Sequence, residues 1–161
     1  MNMFNRKFTL ILSFLIISFS GYSLKYEQHL RINWTDIQKY SDDNSIIERL
    51  SFDGAYYHET NGLPFLFSSL KIHTSKAELY VTLQNEKYIK VSSEEEKILR
   101  NSGYSKTEID VDARILNSRK EPLIQIELLP IRWNQTTSRY EKLVEIDIVI
   151  DVVEVVDDNR E

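Results

Sequence analysis

The stretch PIRWNQTTSRYEKLVEIDIVIDVV, Pro130–Val153, carries the pattern that decides the fold. From Ile146 onward an isoleucine or valine occupies every second position, with aspartate or valine between them. This period of two is typical of a β-strand that buries one face. A polar hexad, Asn134–Arg139, precedes it. The sequence therefore predicts two long strands, Leu123–Trp133 and Tyr140–Val153, joined by a six-residue hairpin loop.

Pro130 marks a change of phase in the first of these strands. Before it the apolar residues are Ile124, Ile126 and Leu128; after it they are Ile131 and Trp133. Because proline donates no hydrogen bond to a sheet, we expect a bulge or an edge at Pro130. The apolar segment Glu145–Val153 would promote association if it were left unpaired at an edge.

The same alternation recurs along the chain and sets the fold class. It predicts further strands around Leu30–Trp34, Leu50–Phe52, Phe65–Ile72, Ala77–Leu83 and Ile109–Ile115. About eight short strands in one domain, with turn residues between them, indicate an all-β protein. We predict an antiparallel β-sandwich, jelly-roll-like in connectivity, with one short helix.

The predicted helix is SSEEEKILRNSG, Ser92–Gly103. Ser93 is the expected N-cap with Glu96 three residues later, and Gly103 is the stop signal. A second, shorter helical turn is a candidate structure for Thr35–Tyr40. Asn85-Glu86 reads as a turn between strands.

The N-terminus reads as a targeting segment. Two basic residues precede a 12-residue apolar run, Phe8–Phe19, which is shorter than the ~20 residues that span a bilayer. We predict a secretory signal over residues 1–23 and a sandwich over 24–161, with an uncleaved N-terminal anchor as the alternative. The chain contains no cysteine, which excludes a thiol nucleophile, a disulfide and a cysteine-ligated metal.

Composition offers little support for other chemistry. The net charge is −5 and no basic run reaches five residues, so a nucleic-acid partner is not expected. The three histidines, His29, His58 and His73, lack metal-ligand spacing, and no cofactor motif is present. The carboxylates of the alternating strands are expected on the solvated face. They are Asp110, Asp112, Glu127, Glu145, Asp147 and Asp151.

Two alternative functions follow from side chains on the predicted sheets. A glycosidase would use a carboxylate pair such as Asp112 and Glu127. A secreted carbohydrate-binding module would present exposed aromatic side chains to a glycan. The competing interpretation of these aromatics is cross-strand pairing. The candidates are Tyr56, Tyr57, Phe65, Phe67, Tyr80, Tyr88, Trp133 and Tyr140.

The order of several segments resembles a known family. They are INWTDIQ, SIIERLSFDGAYYHETNGLPFLFSSLKI, the helix start VSSEE, and RKEPLIQIELLPIRWNQTTSRYEKLVEIDIVIDV. Over about residues 24–155, they resemble the N-terminal, propeptide-like region of the PorU sortases. These are the type IX secretion enzymes of Bacteroidota, relatives of the gingipain-type cysteine peptidases.

The resemblance implies a non-catalytic module whose partner is a gingipain-like catalytic domain, in cis or in trans. In the gingipain-type enzymes such a domain assists folding or restrains the active site of the catalytic domain. The whole sortase removes C-terminal sorting domains from cargo and attaches the cargo at the outer membrane. This implies export to the periplasm or cell surface and contact with the secretion machinery. No catalytic residue maps onto this sequence. The candidates for a basic residue that enters a peptidase pocket are Arg119, Lys120 and Arg139, and the alternative for each is an ordinary solvated charge in a turn.

Overall fold

The structure is a computed structural model that describes residues 23–42, 45–58, 62–117 and 121–155. The predicted signal segment lies almost wholly outside these ranges. Ten strands and one helix occur in the described part. They are β1 (Ser23–Arg31), β2 (Trp34–Asp42), β3 (Ser45–Phe52), β4 (Tyr56–Tyr57), β5 (Pro64–Lys71), β6 (Ala77–Lys90), α1 (Ser93–Asn101), β7 (Asp110–Asn117), β8 (Pro122–Leu129), β9 (Ile131–Asn134) and β10 (Arg139–Glu154).

The strands form two main sheets and a ribbon, and the protein is the predicted all-β, antiparallel sandwich. The first sheet has the order β1-β10-β6, with β9 also paired to β10. The second sheet has the order β4-β5-β8-β7, and β2 pairs with β3 alone. Every pairing between described strands is antiparallel. No helix among these residues is long and apolar enough to cross a bilayer.

β10 is the central strand of the first sheet. β1 pairs along Arg31↔Glu145 to Ser23↔Val153, and β6 pairs along its other side. The apolar segment Glu145–Val153 therefore does not lie unpaired at an edge. Its backbone groups are satisfied on both sides, which removes the template for association.

The main core lies between the two sheets and follows the predicted parity. Ile146, Ile148 and Ile150 of β10 are fully buried, as are Ile124 and Ile126 of β8. Burying a side chain of this size contributes about 1.5–3 kcal/mol each. A second cluster lies beneath α1, where Leu50, Leu99, Leu129 and Ile131 meet Tyr140.

Pro130 is the point at which the chain leaves one sheet for the other. β8 pairs with β5 and β7 in the second sheet, whereas β9 pairs with β10 in the first. The carbonyl of Pro130 accepts a hydrogen bond from the Leu143 amide at 3.0 Å. The predicted single strand Leu123–Trp133 is therefore two strands. The phase shift arises because each half faces the core from a different sheet.

Four local expectations need correction. The run Leu30–Trp34 is interrupted at Ile32-Asn33, between β1 and β2. Thr35–Tyr40 is strand, since β2 pairs with β3 through a bulge between Thr35 and Gln38. Asn85 adopts φ +53° inside β6, so Asn85-Glu86 forms an irregularity in a continuous strand rather than a turn. The hairpin loop is four residues, 135–138, because Asn134 and Arg139 pair with each other.

The helix forms where predicted, but its cap lies one residue earlier. Ser92 is the N-cap: its hydroxyl accepts from the Glu95 amide at 3.2 Å, and Glu95 accepts from the Ser92 amide at 2.7 Å. This reciprocal pair is a capping box, built on Ser92 and Glu95 rather than Ser93 and Glu96. The chain leaves the helix through Gly103, whose φ of +70° suits glycine.

Candidate docking surfaces and functional residues

The β9–β10 hairpin is held in shape by Asn134. Its Oδ1 accepts from the amides of Thr136 at 2.9 Å and Thr137 at 3.2 Å. Its Nδ2 donates to Glu141 Oε1 at 2.9 Å. The side chain thus replaces backbone partners in the turn. The tripeptide Asn134-Gln135-Thr136 also matches the N-glycosylation pattern, and the structure gives its asparagine this structural role.

The loop between α1 and β7 supports the same hairpin from one side. The Trp133 amide donates to the Lys106 carbonyl at 2.7 Å, and the Tyr104 hydroxyl donates to the Ile131 carbonyl at 2.8 Å. The Tyr140 hydroxyl donates to the Tyr104 carbonyl at 2.5 Å. Burial, assisted by the nearby Asp110 charge, raises the pKa of Tyr104 above its usual range. These bonds fix the hairpin as a rigid projection.

Arg139 is exposed at the first position of β10, opposite Asn134. Its guanidinium has no acidic partner within the described ranges. Arg119 and Lys120 lie outside those ranges, in the connection between β7 and β8, whose last ladder pair is Asn117↔Pro122. The candidate basic residues therefore belong to two different hairpins of the chain, which precede β8 and follow β9 respectively.

The carboxylates on the outer face of the first sheet are half-buried and paired. His29 Nδ1 lies 2.6 Å from Asp147 Oδ1, and Asn85 Nδ2 donates to Asp147 Oδ2 at 2.7 Å. The hydrogen bond from Asn85, followed by that from His29, lowers the pKa of Asp147. Lys87 Nζ donates to Glu145 at 2.7 Å and lowers the pKa of that carboxyl. These groups stabilise the ladder rather than assemble a catalytic site.

The second sheet brings together the two carboxylates of the glycosidase hypothesis. Asp112 and Glu127 are direct partners across β7 and β8. Glu127 Oε1 contacts His58 Nε2, and the His58 ring lies edge-on to Phe65 at a centroid distance of 4.6 Å. The pair therefore lies on an open sheet face, with one member already engaged. Among the described residues no three potential metal ligands cluster.

Four of the eight candidate aromatic side chains pair with each other, as the cross-strand interpretation predicts. Tyr56 packs edge-on against Phe67 at 5.0 Å, and Trp133 against Tyr140 at 4.8 Å. Three tyrosines stay exposed in the described part: Tyr40, Tyr56 and Tyr80. They lie on the ribbon, the second sheet and the first sheet respectively. They do not form a shared platform on which a glycan could stack.

Lys142 and Glu95 form a buried ion pair that was not predicted from the sequence. Lys142 Nζ lies 2.5 Å from Glu95 Oε1, and both side chains are only 9% exposed. The ammonium group also lies 5.0 Å from the centre of the Trp34 ring. Trp34 in turn donates from Nε1 to the Leu143 carbonyl at 2.8 Å. The pair connects the capping box of α1 to β10 and β2. Its only sequence signal is the Ser-x-x-Glu spacing at residues 92–95.

Arg132 occupies a similar structural position at the base of the hairpin. Its guanidinium donates to Glu141 Oε2 at 2.8 and 3.0 Å and lies 3.5 Å from the Tyr88 ring centre. Burial, followed by the hydrogen bond to Glu86, raises the pKa of Tyr88. The Arg-Trp-Asn and Tyr-Glu-Lys-Leu segments that carry the family resemblance thus supply the contacts that close the first sheet.

Comparisons with known proteins find similarity only at the level of fold. No family model and no curated protein matches the sequence. The structure of the complex of Porphyromonas gingivalis RgpB pro- and mature domains matches with a TM-score of 0.54 and 13% identity, over 86% of this chain and 84% of that chain. A structure on the zymogenic latency of gingipain K from Porphyromonas gingivalis matches with a TM-score of 0.56 and 9% identity, over 85% and 95%. The chain therefore has a gingipain-propeptide-like fold.

Proposed function

We propose that the protein is a non-catalytic, propeptide-like module that docks on a gingipain-type cysteine peptidase domain and assists its folding or restrains its active site. The observation that carries the proposal is the similarity in fold to structures of gingipains with their prodomains, over 85–86% of this chain. The absence of cysteine agrees with it, because no thiol nucleophile is available.

At a finer level, the order of the sequence segments supports a module of a PorU-type sortase. In that case the chain is exported by the Phe8–Phe19 signal and acts in the periplasm or at the outer membrane. The whole sortase would process secreted cargo and attach it to the cell surface. Reading the gene beyond codon 161 separates partnership in cis from partnership in trans. A continuing frame with a His and Cys peptidase domain indicates cis, and a stop codon indicates trans.

Inhibition of peptidase activity tests the proposal. Gingipain-type catalytic domains encoded in the same genome are expressed separately and assayed on a peptide substrate with increasing amounts of this protein. We expect one of them to be inhibited, or to refold in higher yield. If no catalytic domain responds in either assay, the proposed function is wrong.

The same inhibition assay tests alanine variants of the candidate basic residues. We expect inhibition to be weakened by Arg139→Ala, or by Arg119→Ala with Lys120→Ala, because a basic side chain that enters a peptidase pocket loses its contacts there when it is truncated. Unchanged inhibition by all these variants removes these residues from the mechanism and leaves the docking role intact.

A further inference from the structure

An apolar patch interrupts the outer face of the second sheet. Phe67, Ser69, Leu116 and Leu123 line one open cleft there, and we call them the Leu116 patch. Leu116 is 39% exposed, and Phe67 and Leu123 are half-buried. Within the described ranges, none of these three apolar residues belongs to either hydrophobic core. The patch therefore contributes little to folding by burial.

Unbalanced charge lies beside this patch. Asp112 and Glu127 face each other across β7 and β8, in the same row as Phe67. Like charges directly opposite in an antiparallel pair destabilise a sheet. Glu127 contacts His58, whereas Asp112 has no ion-pair partner in the part of the chain that the structure describes. A cation placed from outside would relieve this repulsion.

The outer face of the first sheet offers the opposite arrangement. Two of its acidic residues are matched within the chain: Asp147 with His29 and Asn85, and Glu145 with Lys87. Asp151 lies opposite Lys25 of β1, and no two carboxylates of the described strands lie directly opposite each other on that face. An incoming protein would also have to break these contacts. Among the described residues, the outer face of the second sheet combines the exposed Leu116 side chain with two carboxylates placed directly opposite each other.

From these contrasts we infer that the outer face of the second sheet, centred on the Leu116 patch, is the surface that docks on the catalytic domain. The matching surface would present apolar side chains to the patch and an arginine or lysine to Asp112 and Glu127. The inference rests on the proposed function, and it agrees with the position of the β7–β8 hairpin, because Leu116 and Leu123 flank that connection.

Binding of matched variants tests the inference. Leu116→Glu places a charge in the patch, and Leu24→Glu is its control. Leu24 is 41% exposed, lies on β1 of the first sheet and belongs to neither core. Dissociation constants are measured by calorimetry against the catalytic domain identified by the inhibition assay. We expect Leu116→Glu to weaken binding about tenfold or more, and Leu24→Glu to change it less than about twofold.

The charge is tested separately with Asp112→Asn and its control Asp151→Asn, at a residue on the central strand of the first sheet. We expect Asp112→Asn alone to weaken binding several-fold and to reduce its dependence on salt. If the wild-type protein binds but Leu116→Glu and Leu24→Glu bind equally well, the docking face is wrong and the proposed function stands. If the wild-type protein binds no catalytic domain, both fail. Circular dichroism confirms that each variant is folded.

Discussion

Removing one member of the Lys142–Glu95 ion pair should destabilise the protein more than any change in a surface pair. Lys142→Met preserves most of the side-chain volume but leaves the Glu95 carboxylate buried, with the Ser92 amide as its remaining partner. Breaking a buried pair in this way costs about 3–5 kcal/mol. Because both side chains are 9% exposed, solvent screens the stranded charge weakly. We therefore expect a loss of about 3 kcal/mol in the free energy of unfolding.

A double-mutant cycle isolates the pair from the helix cap. Glu95→Gln removes the charge and keeps a hydrogen-bonding side chain at the capping position. The double variant Glu95→Gln, Lys142→Met leaves no charge stranded, so it should lose less than the sum of the single losses. We expect a coupling energy of at least about 1.5 kcal/mol. Ser92→Ala, which removes only the cap hydroxyl, should cost about 1 kcal/mol.

Urea unfolding followed by tryptophan fluorescence provides the measurement, because Trp34 lies beside the Lys142 ammonium group. The control is Lys87→Met, which breaks the pair with Glu145, where the lysine is 63% exposed. Such exposed pairs contribute about 0–1 kcal/mol. A loss below about 1 kcal/mol for Lys142→Met, or additivity within about 0.5 kcal/mol, would refute the reasoning.

Three further predictions follow. The pKa values of Glu145 and Asp147 are lowered in the folded protein, so the unfolded chain binds more protons at acidic pH. The stabilisation from these two carboxylates is complete above their ordinary pKa values of 4.5 and 3.8 and is lost as the pH falls below those values. Asp147→Asn should therefore reduce the dependence of the urea midpoint on pH over this range. Leu99→Ala empties a fully buried site beneath α1 and should cost about 2–5 kcal/mol, whereas Ile89→Ala, at a residue 45% exposed, should cost under about 1 kcal/mol; unfolding curves compare the two. Asn134→Ala should cost about 1 kcal/mol and Gln135→Ala nearly nothing, and equal losses would contradict the role of Asn134 in the turn.

The strands could be predicted because their pattern is local. In β8 and β10, apolar residues at every second position identify the side of the strand that faces the core. The buried isoleucines lie at these positions. Their pairing partners could not be predicted in this way. That β10 is central depends on β1, which lies more than one hundred residues earlier in the chain. Alternation along one strand is the same at an edge and at a centre.

The local errors have identifiable causes. Pro130 was expected to disturb a strand, but a phase shift alone does not show that the chain changes sheets. Asn85 tolerates a positive φ, so it produces an irregularity in β6 where its residue type suggested a turn. Thr35–Tyr40 is strand because β3 is available to pair with it. In each case a tertiary partner decided between two local conformations.

The residues of the candidate surfaces and of the buried ion pair were less predictable than the fold. The Lys142–Glu95 pair joins residues 47 positions apart, and only its capping half leaves a trace in the sequence. The Asp112–Glu127 juxtaposition depends on the register of β7 on β8. The alternation predicts that both carboxylates face outward, but only the strand pairing shows that they lie directly opposite each other. Docking surfaces depend on such cross-strand rows, which a single sequence does not specify.

Titration calorimetry of the purified protein against the gingipain-type catalytic domains of the same genome tests the central claim most directly. The account predicts saturable binding to one of these domains with a stoichiometry of about one to one. Absence of binding to every folded catalytic domain, at protein concentrations of roughly 100 µM, would contradict it. The sandwich would then be a gingipain-propeptide-like fold used for another purpose.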